Sequence, residues 1–233
     1  MNLVIVMLSA VVLALGAPGP TSSIQPDLTD GIPEAWGSPG LHAAPTASDT
    51  SHVRILQVAP QGNEARYRVR ERLAALDFPN DAVGRTSAIQ GRVVVRPDGT
   101  VDRDASRIVI DMASLQSDQD RRDNFLRRNT LETERHPTLI LIPIALRGLP
   151  NPLPTAGDHN FLLVAEMVLK GEAHPTTWEV QATFVDGAVL GRASTILTFD
   201  GLGLEKPRVR SVLSVADDIR LEYDFRLVPG EEG

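Results

Sequence analysis

The chain has 233 residues and a formal net charge of -7, with 42% hydrophobic but only 4% aromatic residues. That suffices for one sizeable, mostly aliphatic core, and the acidic balance argues against a nucleic-acid partner, which calls for a basic surplus on one face. Cysteine is absent, which excludes a disulfide framework and a lipid-modified N-terminal cysteine.

The opening MNLVIVMLSAVVLALGAPGP carries an apolar run from Leu3 to Leu15, followed by small residues. The run is shorter than the ~20 residues of a spanning helix and reads as a secretory signal over residues 1–16, with only the free amino terminus as positive charge ahead of it. Residues 17–62 are rich in Pro, Gly, Ser, Thr and Ala and show no sustained period, so they read as a disordered linker. The folded domain is expected over residues 63–229 of an exported protein, periplasmic or extracellular.

From Arg66 onward the residues alternate. In ARYRVRERL, Ala65, Tyr67, Val69, Glu71 and Leu73 share one face, and Arg66, Arg68, Arg70 and Arg72 share the other. VGRTSAIQGRVVV is a second strand, and the Pro-Asp-Gly turn after it brings the chain back as a hairpin onto Val101 and SRIVIDM. Beyond a charged stretch come five more strands, in TLILIPIALRGLP, NFLLVAEMVLKG, TTWEVQATFVDG, AVLGRASTILTF and DDIRLEYDFRLV. Eight strands joined mostly by short turns predict an all-β fold, an antiparallel up-and-down barrel, because closure removes exposed edges; a sandwich is the alternative. Closure sets the first strand beside the last, so the arginine stripe should meet Asp218, Glu222 and Asp224. A site for anionic headgroups is the other reading of that stripe.

The charged stretch SLQSDQDRRDNFLRRNTLETERHPT runs from Ser114 to Thr138. Ser117 with Asp120, and Asn129 with Glu132, have the spacing of a helix N-cap with an acid three residues on. Pro137 turns the chain extended at His136. Two short capped helices, inserted between strands and covering one barrel end, are expected.

An eight-stranded barrel is either filled by side chains or holds one small ligand. The candidate apolar lining is Phe161, Leu163, Met167, Trp178, Phe184 and Phe199, with small Gly191, Ala193 and Thr195 on the penultimate strand leaving volume beside bulky neighbours. Patterning alone leaves a cavity and a solid core both open. No histidine pair has metal-site spacing, and no nucleophile elbow or phosphate loop is present, so neither a catalytic nor a metal site is expected. Asp98, Asp102 and Asp104 suit a turn, with calcium as the alternative.

The spacing of the charged stretch, the later MVLKGEAHPTTWEV and the TFDGLGLEKPRV segment together resemble the YceI family of extracytoplasmic, lipocalin-like proteins, over Tyr67 to Val228. The family's Ser-x-x-Ser/Thr, Arg-Asp-x-x-Leu/Phe and Tyr/His-Pro pattern is matched by Ser114, Ser117, Arg122, Asp123, Phe125 or Leu126, and His136-Pro137. Its second motif is matched at Gly171 and His174-Pro175. RERLAALDFPNDAVGRTSAIQG departs from the family's form, and so does Asp200-Gly201-Leu202-Gly203. The resemblance implies a lipocalin-like barrel around a hydrophobic tunnel that holds a polyisoprenoid or quinone-like lipid. It implies a non-enzymatic carrier of a long-chain amphiphilic lipid with no other cofactor; peripheral membrane contact and dimer formation are left open. The alternative is a structural or stress-protective envelope module with a solid barrel core.

Overall fold

The computed structural model describes residues 52–75, 77–209 and 212–231. Among them are the strands β1 (Arg54–Val58), β2 (Glu64–Leu73), β3 (Asn80–Thr86), β4 (Ile89–Val95) and β5 (Arg107–Asp111). The helix α1 (Asp120–Phe125) follows, then β6 (Thr138–Arg147), β7 (Gly157–Leu169), β8 (Glu172–Val185), β9 (Ala188–Thr198) and β10 (Val212–Pro229). Antiparallel pairing runs β1-β4-β5-β6-β7-β8-β9-β10, and β10 returns to β1 through Gln57 opposite Val228, closing an eight-membered ring.

Two of the eight ring members are bent. β10 pairs first with β2, over Val212 to Asp224, and then with β1, over Leu227 to Pro229, so β1 and β2 are successive halves of one barrel strand. β3 pairs with β2 and β4 with β1, so these two are likewise halves of the next strand. The first bend, at Ala59 to Asn63, is fixed by the buried Asn63: its Nδ2 donates to Ala59 O at 2.8 Å, and its Oδ1 accepts from Tyr223 OH and Arg226 N, each at 3.0 Å. At the second, Thr86 Oγ1 accepts from Ala88 N at 3.0 Å, a local bond that competes with the ladder.

Alternation builds the wall. In β8, residues from Thr176 to Val185 switch strictly between buried and exposed, as a strand with one face on the core must. The core lies inside the ring, with Val95, Leu141, Ala165 and Met167 at most 2% exposed. The expected Pro-Asp-Gly turn forms: Gly99 N donates to Arg96 O and Val95 bridges to Val101. The arginine stripe meets the last strand as closure requires, with Arg66 directly opposite Glu222 and its Nε 3.1 Å from Glu222 Oε2. Arg66 also reaches Asp224 at 2.7 Å, while Arg70 turns to Asp81 on β3.

Two expectations are corrected. The barrel begins before residue 63, because Arg54–Val58 is its first strand; Pro60 and Gly62 mimic a linker but form the bend inside a strand. The expected signal and the linker up to residue 51 lie outside the described residues. The charged stretch, in turn, is one helical segment rather than two capped helices. α1 starts at Asp120 without a side-chain cap, and Leu126–Thr130 continues it as a wider turn in which Leu131 N donates to Leu126 O. Ser117 bonds instead to the buried Asp123, whose carboxylate accepts from Ser117 N at 3.0 Å and from Ser117 Oγ at 2.6 Å. Glu132 adopts φ 50° and closes a turn, so no helix starts at Asn129.

Candidate functional site

The inward faces enclose three adjoining cavities. At one barrel end a cavity of about 70 Å³ lies among Leu56, Val93, Phe161, Leu163, Phe184 and Phe225, bordered by Leu149 and Leu153 from the loop between β6 and β7. A central cavity of about 60 Å³ is bounded by Ile110, Trp178 and Leu221. The third, about 90 Å³, is bounded by Met167, Leu169, Phe199 and Ile219, and is roofed by Leu126, Thr130 and Leu131 from the helical segment and by Leu202 and Leu204. The helical segment therefore covers one end of the barrel, as the sequence suggested.

Shared walls separate these spaces. Tyr223 borders both the loop-end and the central cavity, and Tyr67, Met112, Leu115, Leu139 and Leu221 border both the central and the helix-capped one. All six predicted lining residues face these spaces: Phe161, Leu163 and Phe184 at the loop end, Trp178 in the centre, Met167 and Phe199 under the cap. Sequence reasoning omitted Tyr67, Tyr223 and Phe225, although all three alternate with charged residues on strands it had drawn. The small residues of β9 leave less room than expected. Phe225 pairs across from Gly191, and its ring lies within 2.9 Å of where a Cβ at Gly191 would stand.

Polar groups in the wall are mostly satisfied locally. Trp178 Nε1 donates to Thr176 Oγ1 at 2.9 Å, and Thr176 Oγ1 donates to Ala165 O at 3.1 Å. Beside the capped cavity, Arg122 bridges Glu71 at 2.6 Å and Asp118, joining the helical segment to β2. Lys170, in the turn between β7 and β8, holds the same segment through Glu132 at 2.5 Å. Burial pushes the phenols of Tyr67 and Tyr223 well above the ordinary tyrosine pKa, so both remain neutral hydroxyls.

Among the described residues no group of three or more His, Cys, Asp or Glu converges on a point, and no helix is long and apolar enough to cross a membrane. The turn aspartates bind their own loop: Asp98 Oδ1 accepts from Thr100 N and Oγ1, and Asp102 accepts from Ala105 N and pairs with Arg96.

A closed antiparallel eight-stranded barrel with an apolar interior and one short helix over an end defines the class of lipocalin-like barrels. Residues 56–227 match the model of the YceI-like domain, and the chain belongs to that family. A polyisoprenoid-binding domain from Saccharophagus degradans has a similar fold, with TM-score 0.58 at 12% identity, over 77% of this chain and 100% of that one. BcnA of Burkholderia cenocepacia is similar with TM-score 0.53 at 14% identity, over 73% and 98%. The Campylobacter jejuni YceI protein is similar with TM-score 0.51 at 14% identity, over 69% and 91%. No curated protein matches the chain.

Proposed function

We propose that this domain binds a long-chain amphiphile of isoprenoid type inside the barrel and acts as its carrier, without catalysing a reaction on it. The observation that carries the reading is the row of three adjoining cavities walled by apolar side chains along the barrel interior. Each methylene moved from water into such a space contributes about 0.8 kcal/mol, so a chain of modest length outweighs the cost of association. Membership of a family with a polyisoprenoid-binding structural neighbour supports the same ligand class. The apolar run from Leu3 to Leu15 supports export to the envelope or beyond.

Each cavity is smaller than the ~150 Å³ that holds a benzene molecule. Loading therefore requires the walls that Tyr67, Met112 and Tyr223 form between the cavities to open. The small size of the separate spaces also favours a second reading, a packed barrel that serves as a structural or stress-protective module. Native mass spectrometry with solvent extraction, on protein recovered from the exported fraction, decides between them. One tightly held isoprenoid per chain supports the carrier; a protein that arrives empty and takes up neither polyprenol nor quinone supports the packed module.

A further inference from the structure

Residues 148–156, which join β6 to β7, form a strap at the loop end of the barrel, where Leu149 and Leu153 border the loop-end cavity. Gly148 and Gly157 bracket the strap at φ 88° and 92°, the left-handed region that glycine enters without steric cost. Between them Pro150, Pro152 and Pro154 each fix a backbone dihedral. A stiff segment between two permissive points has the build of a hinged cover.

The two barrel ends are held shut unequally. Among the described residues no backbone hydrogen bond joins the strap to the rest of the barrel. Its ties are Asn151 Nδ2 to Asp98 O at 2.6 Å, Arg54 Nη1 to Pro154 O at 3.3 Å and His159 Nε2 to Ala156 O at 3.3 Å, each accepted by a main-chain carbonyl. The helical roof is fixed by the Arg122–Glu71 and Lys170–Glu132 ion pairs, and Arg127 adds a bond to Leu115 O. Burial follows the same order. Leu131, Met167, Phe199 and Leu202 around the capped cavity are at most 8% exposed, whereas Leu146, Leu149, Leu153 and Phe161 at the loop end are only partly buried. A segment with little buried apolar contact and few ties opens at the lowest free-energy cost.

We propose that the strap is the loading portal of the barrel: a long-chain amphiphile enters and leaves at the loop end when residues 148–156 swing outward on Gly148 and Gly157, while the helical end stays shut. The inference rests on the binding function proposed above. It makes the strap a control on rate rather than on affinity, because a cover that closes over the empty and the loaded barrel alike slows entry and exit together.

The test locks the strap. A Cβ at Gly99 would stand 2.8 Å from Asn151 Cγ, within the reach of a disulfide, and the chain has no cysteine of its own to compete. Gly99→Cys combined with Asn151→Cys is compared oxidised and reduced, following farnesol uptake and release by tryptophan fluorescence. Oxidation should slow both rates at least about tenfold and leave the equilibrium affinity unchanged. Leu149→Ala combined with Leu153→Ala, which needs no bridge, should speed both. Rates that do not differ between the oxidised and reduced forms, or that hold in the alanine variant, overturn the portal and leave the carrier reading intact. Wild-type protein that takes up no farnesol overturns both.

Discussion

Arg122, in the helical segment, places its Nη2 2.6 Å from Glu71 Oε1 on β2, with the two side chains only 13% and 8% exposed. Asn80 Nδ2 adds a bond to the same Glu71 oxygen at 3.3 Å. The pair is the main electrostatic tie between the roof of the capped cavity and the barrel wall. Arg122→Met strands the Glu71 carboxylate away from water, and breaking a buried pair in this way costs about 3 kcal/mol. Arg122→Met combined with Glu71→Leu should recover at least half of that loss, because the burial penalty disappears with the charge. Urea unfolding of the two singles and the double measures the coupling; single variants that each cost under about 1 kcal/mol would show that the tie is unimportant.

Gly84 and Gly191 both lie opposite aromatic rings, yet they should respond differently to the same substitution. At Gly84 a Cβ would come 2.2 Å from Tyr67 Cε1, a side-chain atom with cavity space behind it. At Gly191 it would come 2.2 Å from the Gln181 carbonyl oxygen and 2.8 Å from Ala182 Cα, and backbone in a sheet cannot step aside. Gly84→Ala is expected to cost about 1 kcal/mol and Gly191→Ala about 3 kcal/mol, the low and high ends of overpacking. Denaturant unfolding in which Gly84→Ala proves the more damaging change contradicts this.

How much of this was legible in the chain depended on the range of the interactions involved. Period-two alternation drew β6 to β10 and the inward faces, because one buried side leaves that signature in every strand. Charge complementarity placed the arginine stripe of β2 beside the acids of β10, though not the individual pairing of Arg66 with Glu222. The first strand was hidden, since Pro60 and Gly62 are locally indistinguishable from linker residues and the bend is held by bonds from Asn63 to Tyr223 and Arg226, far along the sequence. The helix caps failed for a related reason. Ser117 has correct N-cap spacing, but the buried Asp123 takes its hydrogen bonds. Likewise, alternation places Tyr67 inward without revealing that Tyr223 finds a partner and Tyr67 does not.

Acid should weaken the domain through specific carboxylates. The hydrogen bond from Arg192, and then that from Arg66, hold the Asp224 carboxyl below its ordinary pKa, and Lys170 does the same for Glu132. A depressed carboxyl pKa means that the unfolded chain takes up the proton first as pH falls. The stability from each pair is therefore fully present above the unfolded value of about 4 and is lost as pH drops through the lower folded value. Tm should stay nearly level from about pH 7 to about pH 5 and fall below about pH 4. Asp224→Asn should lower the plateau slightly and flatten the acid limb; an acid limb that overlays the wild-type curve would remove Asp224 from the account.

The proposed carrier function predicts that filling the loop-end cavity separates binding from stability. Ala193 is 3% exposed, stands opposite Val180 on one side and Tyr223 on the other, and borders this space. Ala193→Leu adds three carbons toward a cavity of about 70 Å³. New apolar burial at about 25 cal/mol per Å² offsets the strain of a tighter fit, so the net change in stability should stay within about 1 kcal/mol. Ligand uptake should fall much further, because the leucine occupies volume that an alkyl chain must enter, and affinity for farnesol and for its hydrocarbon analogue should drop together. Farnesol titration beside thermal unfolding gives both readings on one variant. Unchanged affinity with unchanged Tm would mean that the chain does not use the loop-end cavity, and a bound chain would then have to lie wholly between Tyr223 and the helical roof.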